Sequence, residues 1–343
     1  MNHKKFTNVG IIGFGGYVPP LRLKVSEIAR AHGKSGDQVI ASLGVKQKAV
    51  ADRDEDTVSL ATAAAGRALV RSKIKADQLG AVLVGSESHP YAVKSSGSIV
   101  AEILGVGNDY LTVDLEFACK AGTSAIILIA ALVEAGLIEA GLAIGADVAQ
   151  SRPGDALEYT AGAGAGAVIL GSKKYHWLAS LDYVTSLTSD TPDFWRREGE
   201  KYPSHAGRFT SGPAYFKHVT GSTEKFLLAT NTKISHFDHV VLHMPNAKFP
   251  LRAAKKLGIN QSQLKAGFIV PEIGNPYSAS ALLGLVSVLE QAKVKQKILV
   301  TSYGSGAGSD SLSLTVKNKS LSEKKHSVRF IDYPEYLKIK GLI

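Results

Sequence analysis

Residues 111–135, LTVDLEFACKAGTSAIILIAALVEA, join a strand-like apolar run to a helical pattern of small residues through a turn that contains Cys119. A similar unit comes later in the chain, where the turn IGN at 273–275 opens another small-residue helical pattern. The strand-like runs LAIGAD, at 142–147, and ILVTSY, at 298–303, follow these two patterns. Strands that alternate with helices in this way predict an α/β fold with a mixed sheet flanked by helices.

The two units are related by one sequence offset. Setting Cys119 on Asn275 gives 275 − 119 = 156, and the same offset sets Glu87, at the end of a strand-like run, on His243. Such a repeat predicts two similar halves with an active site where they meet. Further strand-like runs are 9–14, 81–85, 165–170, 240–243 and 268–270, and further helical patterns are 58–72, 96–104, 250–257 and 278–291.

Composition narrows the class of protein. The 343 residues are 45% hydrophobic, carry a formal net charge of +10 and include a single cysteine, so neither an intramolecular disulfide nor a cysteine metal cluster is expected. The 10 histidines are scattered without metal-ligand spacing, and no apolar run has the roughly 18 residues that a membrane span needs. A soluble, cytoplasmic protein without a metal is therefore predicted.

The positive charge is compatible with several partners. Basic residues are spread along the chain, with no basic arm and no aromatic-interleaved stripe typical of nucleic-acid binders. An anionic small molecule or an acidic protein is favoured over nucleic acid, and a merely solvated basic surface is the alternative.

Cys119 is a candidate nucleophile because of its position and its company. A thiol at a helix N-terminus is exposed to the positive end of the helix dipole, which favours the reactive thiolate. His243 and Asn275 follow strand-like runs, and cysteine, histidine and asparagine together serve thioester chemistry. The alternatives are a buried structural cysteine, a structural strand-end histidine and an asparagine that forms a turn.

Several long motifs carry a family resemblance. They are GSESHPYAVK, EFACKAGTSA, GDALEYTAGAGAGA, HMPNAKFPLRAAKKLG, IGNPYSASALLGL, SYGSGAGSDS and the tract from SDTPDFW to KHVT. The chain resembles the archaeal-type 3-hydroxy-3-methylglutaryl-CoA synthases of the thiolase superfamily from about Val9 almost to its end. The resemblance implies the thiolase fold, in which two pseudo-two-fold-related α/β halves form five α-β-α-β-α layers. We expect the halves at 1–171 and 172–343, with an insertion at about 186–222 and a tail at 317–343.

The resemblance also implies roles for particular residues. Cys119 is the implied acyl carrier, Glu87 the acid/base for the carbon acid, and His243 a second acid/base. The tract 194–216 becomes the wall of a coenzyme A tunnel instead of an irregular insertion. Substrate contacts are implied for Asn275, Ser305, Thr160 and Thr210, further ligand contacts for Ser35 and Gly36, and coenzyme A binding for Arg208, Lys248 and Arg252.

The sequence departs from the family pattern at four positions. Met244, Ala247, Pro276 and Ala279 stand where Gln, Gly, Thr and Gly are usual. None of these changes removes a catalytic group. Pro276 lacks a backbone N–H and has a fixed φ, so it can alter the acyl pocket beside Asn275 and hence the choice of substrate.

The implied reaction is the condensation of acetyl-CoA with acetoacetyl-CoA and water to give 3-hydroxy-3-methylglutaryl-CoA, without a cofactor. The alternatives are another condensing enzyme, such as a ketoacyl-acyl-carrier-protein synthase III, and a non-catalytic scaffold subunit. A synthase III would not require Glu87 as a base, because decarboxylation of a malonyl group supplies the carbanion. The family further implies a homodimer that assembles with acetoacetyl-CoA thiolase and a small bridging protein.

Overall fold

The computed structural model describes residues 4–148, 150–320 and 327–343. Its strands are β1 (Lys4–Lys5), β2 (Gly10–Tyr17), β3 (Leu21–Lys24), β4 (Gln47–Val50), β5 (Ala81–Gly85), β6 (Leu111–Leu115), β7 (Ala140–Asp147), β8 (Gly164–Gly171), β9 (Ala179–Thr188), β10 (Phe194–Trp195), β11 (Ser204–His205), β12 (His239–Leu242), β13 (Lys297–Thr301), β14 (Gly308–Val316) and β15 (Arg329–Ile331).

The helices are α1 (Val25–Ala31), α2 (Gly36–Leu43), α3 (Thr57–Ser72), α4 (Ser96–Leu104), α5 (Ala121–Glu134), α6 (Gly207–Phe209), α7 (Lys217–Thr230), α8 (Lys248–Leu257), α9 (Gln261–Lys265), α10 (Val270–Ile273), α11 (Ser280–Leu289) and α12 (Tyr333–Ile339). A π-helical stretch, Thr210–Phe216, joins α6 to α7. Within the described residues no helix is long and apolar enough to cross a membrane.

The sheet repeats one strand order on either side of its centre. In the first half β2, β8, β7 and β5 are neighbours in that order, and in the second half β9, β14, β13 and β12 follow the same order. β2 pairs with β9, which joins the two halves into one sheet of 10 strands. β6 extends the first half only. In the second half the run 268–270 precedes α11 as β6 precedes α5, and we expected it to be a strand, but it leads into helix α10. That strand prediction was wrong.

The two halves of the sheet and the helices on and between them form five layers. Helices α3 and α4 cover one face of the first half, and α7 covers the second half together with α8. Helices α5 and α11 lie between the halves and contact strands of both. The predicted thiolase-type architecture is therefore confirmed.

The central helices explain the run of small residues in the sequence. A Cβ added at Gly122 of α5 would lie 2.7 Å from the Ser278 carbonyl oxygen and 3.0 Å from the Gly145 Cα atom. At Gly145 of β7 the same added atom would lie 2.4 Å from the Ser278 oxygen. Only glycine permits this approach, which brings the first turns of α5 and α11 together.

The structure corrects the register of the repeat at these turns. α5 begins at Ala121 and α11 at Ser280, an offset of 280 − 121 = 159 rather than 156. The residue equivalent to Cys119 is therefore Ser278, and Asn275 lies in the loop before it. The predicted boundary between 171 and 172 coincides with the end of β8 and stays a prediction.

The C-terminal segment returns to the first half. β15 pairs with β3, and Ile331, Tyr333 and Tyr336 share an apolar cluster with Leu23 and Ile28. Residues 329–339 of the predicted tail thus form a strand and a helix that pack on the same chain. Residues 321–326 of that tail lie outside the described residues.

The contact between Gly145 and Ser278 can be tested by adding one methyl group. We expect Gly145→Ala to reduce the free energy of unfolding by about 1–3 kcal/mol, because overpacking displaces backbone at the helix junction. Gly66→Ala is the matched control, since an added Cβ in α3 meets nothing within 4 Å. It should be neutral or stabilise by about 0.5–1 kcal/mol. Urea unfolding measures both, and equal effects would contradict the close contact.

Candidate active site

A cavity of about 870 Å³ opens at the carboxyl ends of β5 and β7. Asp147, the last residue of β7, lies in its wall and accepts five hydrogen bonds. Its Oδ1 accepts from Ser86 Oγ (2.8 Å), Glu87 N (2.8 Å) and Ser88 Oγ (2.7 Å), and its Oδ2 from Ser278 N (2.8 Å) and Oγ (2.6 Å). Asp147 therefore holds the end of β5 against the first turn before α11.

Glu87 follows β5 and lines the cavity. Its Oε1 is buried and has no hydrogen-bond partner among the described residues. Burial, and next the charge of Asp147, raise the pKa of Glu87 from 4.5 to about 8. A carboxyl with such a pKa can both accept and return a proton near neutral pH.

Cys119 lies in the single turn Ala118–Lys120 before α5, and the preceding Ala118 has φ of 42°. The thiol is buried beside Ala161 and Tyr277, with Phe194 packed against this cluster. Burial, and next the negative charge of Glu87, raise the pKa of the Cys119 thiol well above its ordinary value. The expectation that the helix dipole favours a thiolate was therefore wrong, because burial outweighs it. Among the charged groups, Glu87 acts most strongly on the thiol.

His243 follows β12 in a buried position. Its N–H donates to the Thr301 carbonyl (2.9 Å), and its carbonyl accepts from Tyr215 Oη (2.7 Å). Burial lowers the pKa of His243 from 6.5 to about 3, and its Nδ1 has no partner in the described part of the chain. The imidazole is thus neutral at physiological pH and suits hydrogen bonding to a substrate oxygen better than delivery of a proton as a cation.

Asn275 and Thr160 meet beside the thiol. Asn275 N donates to the Thr160 carbonyl (2.6 Å), and the Asn275 carbonyl accepts from Gly162 N (2.9 Å). Asn275 Oδ1 accepts from Tyr277 N (3.0 Å), which sets the orientation of the amide. Ala161, between Thr160 and Gly162, contacts Cys119. The structure therefore brings these two predicted substrate contacts next to the predicted nucleophile.

Ser305 lines the cavity within the glycine-rich loop 304–308, whose backbone N–H groups are candidate donors to an enolate oxygen. Most of those donors are engaged inside the protein. Gly304 and Gly308 pair with each other, Gly306 N donates to Asp193 Oδ1 (2.9 Å) and Ala307 N to the Ser189 carbonyl (3.1 Å). In this loop the N–H of Ser305 is the remaining candidate.

The predicted insertion forms a hairpin that walls the cavity. β10 pairs with β11, and the hairpin contributes Phe194, Trp195, Arg196 and Arg197 to the lining. Arg196 Nη2 donates to the Glu87 carbonyl (3.1 Å). At the base of the hairpin Asp193 is buried and accepts from Tyr303 Oη at 2.5 Å.

Sequence reasoning missed three residues of the site, Asp147, Asp193 and Tyr277, and it included Arg196 only as part of the predicted tunnel wall 194–216. Only Asp147 had a readable signal, because it ends the strand-like run LAIGAD in the half that carries Glu87. Carboxyl ends of parallel neighbours meet at one edge of a sheet, so its proximity to Glu87 could have been inferred.

The predicted coenzyme A contacts lie apart from this cavity's lining among the described residues. Arg208, Lys248 and Arg252 are exposed, and Arg252 stacks 4.8 Å from the Phe216 ring centroid. Thr210 Oγ1 donates to the Gly207 carbonyl (2.9 Å) at the start of the π-helical stretch.

Ser35 and Gly36 have visible structural roles at the start of α2. Ser35 is its N-cap and accepts from Gln38 N (3.4 Å). An added Cβ at Gly36 would lie 2.8 Å from Ser26 Cβ, so close packing accounts for this glycine. Their predicted ligand contacts stay predictions.

Comparison with known proteins agrees with this geometry. Residues 5–175 match the model of the hydroxymethylglutaryl-coenzyme A synthase N terminal, and residues 227–317 match that of the 3-oxoacyl-[acyl-carrier-protein] synthase III C terminal. The hydroxymethylglutaryl-CoA synthase of Archaeoglobus fulgidus is 48% identical over 338 residues, which cover 96% of this chain and 98% of that protein. The enzyme of the same name from Methanobrevibacter smithii is 49% identical over 345 residues, covering 98% and 99%.

Solved structures show the same fold. A crystal structure of HMG-CoA synthase complexed with CoA superposes with a TM-score of 0.87 at 24% identity, covering 97% of this chain and 90% of that one. The 3-oxoacyl-(acyl carrier protein) synthase III of Pseudomonas aeruginosa PAO1 superposes with a TM-score of 0.83 at 22% identity, covering 91% and 99%.

The doubled α/β fold places this chain among the thiolase-fold proteins, and its curated relatives are acyl-condensing enzymes. The near full-length identity to curated relatives is more specific. This chain belongs to the hydroxymethylglutaryl-CoA synthase family.

The raised pKa of Glu87 predicts a pH-dependent stability. Below pH 4.5 the carboxyl is protonated in both folded and unfolded chains. As pH rises from 4.5 to about 8, the unfolded chain releases this proton while the folded protein retains it, so the folded state loses stability. We expect the wild type to lose stability relative to Glu87→Gln over this range, as measured by urea unfolding. A difference independent of pH would contradict the assignment.

Proposed function

We propose that this chain condenses acetyl-CoA with acetoacetyl-CoA and water, giving 3-hydroxy-3-methylglutaryl-CoA and coenzyme A, through an acetyl group carried on Cys119. The observation that carries the assignment is the buried Cys119 thiol placed close enough to the cavity-lining Glu87 carboxyl for the charge of Glu87 to raise the thiol pKa. A nucleophile and a base within reach of each other are what acyl transfer and carbanion formation both require.

Acetyl transfer is the first step. The Cys119 sulfur attacks the thioester carbonyl of acetyl-CoA, the bond from that carbonyl to the coenzyme A sulfur breaks, and the thiol proton passes through Glu87 to the leaving thiolate. The burial that raises the thiol pKa also keeps water away from the new thioester. The acetyl group therefore stays activated while free coenzyme A leaves.

Carbon–carbon bond formation follows. The Glu87 carboxylate removes a proton from the acetyl methyl group, and the resulting carbanion attacks the ketone carbon of acetoacetyl-CoA. Neutral His243 donates a hydrogen bond to the ketone oxygen, and Glu87 returns its proton to the alkoxide. The N–H of Ser305 is a candidate donor to the enolate oxygen. Water then cleaves the thioester bond to Cys119, which releases 3-hydroxy-3-methylglutaryl-CoA, with its new carboxylate, and the Cys119 thiol.

The exposed cations are proposed to bind the coenzyme A portion. Lys248 begins α8, Arg252 lies one turn later on the same helix, and Arg208 precedes the π-helical stretch. Thr210 lies two residues after Arg208. Guanidinium and ammonium groups suit phosphate oxygens, and their attraction acts over about 8–10 Å at 0.1–0.15 M salt.

The two chemical steps can be separated with acetyl-CoA alone. We expect mass spectrometry to find one added acetyl group on the wild type and none on Cys119→Ala. Glu87→Ala should still be acetylated, because loss of the neighbouring negative charge lowers the thiol pKa and offsets the lost base. Its condensation with acetoacetyl-CoA should fall by about 100- to 10,000-fold.

Other outcomes of this experiment would identify the alternatives. An adduct that persists in Cys119→Ala would refute the acyl carrier. An absence of acetylation in the folded wild type would indicate the scaffold subunit. Acetyl-enzyme that reacts with malonyl-acyl-carrier protein instead of acetoacetyl-CoA would indicate a synthase III activity.

We further propose a homodimer formed through β6. This strand ends the sheet among the described strands, and its Leu111 and Val113 side chains are 49% and 45% exposed. An apolar strand with an unpaired edge invites pairing with another strand. Two copies of β6 related by a two-fold axis would continue the sheet from one subunit into the other.

Light scattering tests the dimer. The wild type should have twice the chain mass, and Val113→Lys should shift the protein toward monomer because a buried charge opposes strand pairing at the interface. Val70→Lys, which alters a side chain that is 82% exposed on α3, is the matched control. A monomeric wild type, or equal dissociation of both variants, would refute the interface.

Assembly with acetoacetyl-CoA thiolase and a small bridging protein remains a proposal that rests on the family resemblance. The cytoplasmic location and the lack of a cofactor or metal also stay predictions of the sequence.

A further inference from the structure

A buried polar network connects the C-terminal segment to the interior. Glu158 is fully buried, and its Oε1 accepts from Tyr333 Oη (2.9 Å). Its Oε2 accepts from Gly154 N (2.7 Å) and lies 3.1 Å from His32 Nε2. A buried carboxylate is costly unless hydrogen-bonded, so these contacts define where Glu158 can lie. One of them comes from helix α12, which is remote in sequence.

Lys48 makes the second connection. This lysine is buried in β4, and its Nζ donates to the Glu158 carbonyl (2.6 Å) and to Tyr336 Oη (3.3 Å). The ammonium also lies 4.6 Å from the centroid of the Tyr336 ring. Tyr333 and Tyr336, one turn apart on α12, thus contact Glu158 directly and through Lys48.

The same residues adjoin the proposed substrate contacts. Glu158 is two residues before Thr160, whose carbonyl accepts from Asn275 N (2.6 Å). A Cβ at Gly274 would lie 2.5 Å from the Thr160 oxygen and 3.0 Å from Lys48 Cβ, so Lys48 packs directly behind this turn. A shift of Glu158 or Lys48 would therefore move both Thr160 and Asn275.

We propose that the C-terminal segment, residues 329–343, holds the Thr160–Asn275 turn in its working position, with Tyr333 and Tyr336 as positioning residues that act through Glu158 and Lys48. The proposal rests on the substrate roles proposed above for Thr160 and Asn275. The catalytic Cys119 and Glu87 receive no direct contact from this segment among the described hydrogen bonds. The effect of the segment is on how the acyl groups are oriented.

Two variants approach the network from opposite ends. Tyr333→Phe removes one hydroxyl group from Glu158, and Lys48→Met removes the ammonium group while it retains the packed stem. Each should lower kcat for condensation at saturating substrates by about tenfold or more, because small displacements of positioning groups are costly in rate. The Kd of free coenzyme A, measured by calorimetry, should stay within about twofold, because Lys248 and Arg252 lie outside the network.

The control is Glu335→Gln, on the same helix α12, which loses only an exposed ion pair with Arg329 (2.7 Å). It should retain wild-type kcat and Kd. Urea unfolding at the assay temperature establishes the folded fraction, to which kcat is normalised. A normal kcat per folded enzyme in both network variants would refute the proposal, as would parallel losses of kcat and coenzyme A binding. A wild type that acetylates Cys119 but does not condense would instead refute the proposed function.

Discussion

The Asp147 carboxylate is the interaction on which the arrangement of the site depends. Its five hydrogen bonds connect residues 86–88, which follow β5 and include the cavity-lining Glu87, to the turn that opens α11. This connection depends on Gly122 and Gly145, because a Cβ atom added at either would lie only 2.7 or 2.4 Å from the Ser278 carbonyl oxygen. The small residues between the halves therefore serve one purpose, which is to let two helix starts and two strand ends meet.

The same carboxylate influences the chemistry. Its negative charge adds to burial in raising the pKa of Glu87 to about 8, and Glu87 in turn raises the pKa of the Cys119 thiol. Neighbouring acidic groups in a buried site lose their protons in separate steps, because two adjacent negative charges are unfavourable there. The proposed mechanism uses this coupling to pass one proton between the thiol, the carboxyl and the substrate. His243 complements this arrangement, because burial keeps it neutral and available as a hydrogen-bond donor.

Two segments outside the repeated strands and helices contact the surroundings of the site. The hairpin β10–β11 covers the cavity and anchors Arg196 on the Glu87 carbonyl. The C-terminal segment packs on β3 and, through Glu158 and Lys48, supports the turn that carries Thr160 and Asn275. Both segments lie outside the four repeated strands of each half. We infer that the doubled scaffold supplies the catalytic groups, while the added segments shape the space around them.

The sequence alone determined the α/β class, the doubled architecture, and the candidates Cys119, Glu87, His243 and Asn275. It also indicated the approximate positions of seven of the 15 described strands and five of the 12 described helices. These follow from local patterns, since apolar periodicity and the positions of polar residues at strand ends are written along the chain. The tertiary structure alone decided that Ser278 is the equivalent of Cys119, that 268–270 is no strand, and that the thiol pKa is raised. It also decided that Asp147 lines the site and that Asp193 supports it. Burial, charge proximity and close approach of backbone depend on segments far apart in sequence, and no local pattern encodes the distance between them.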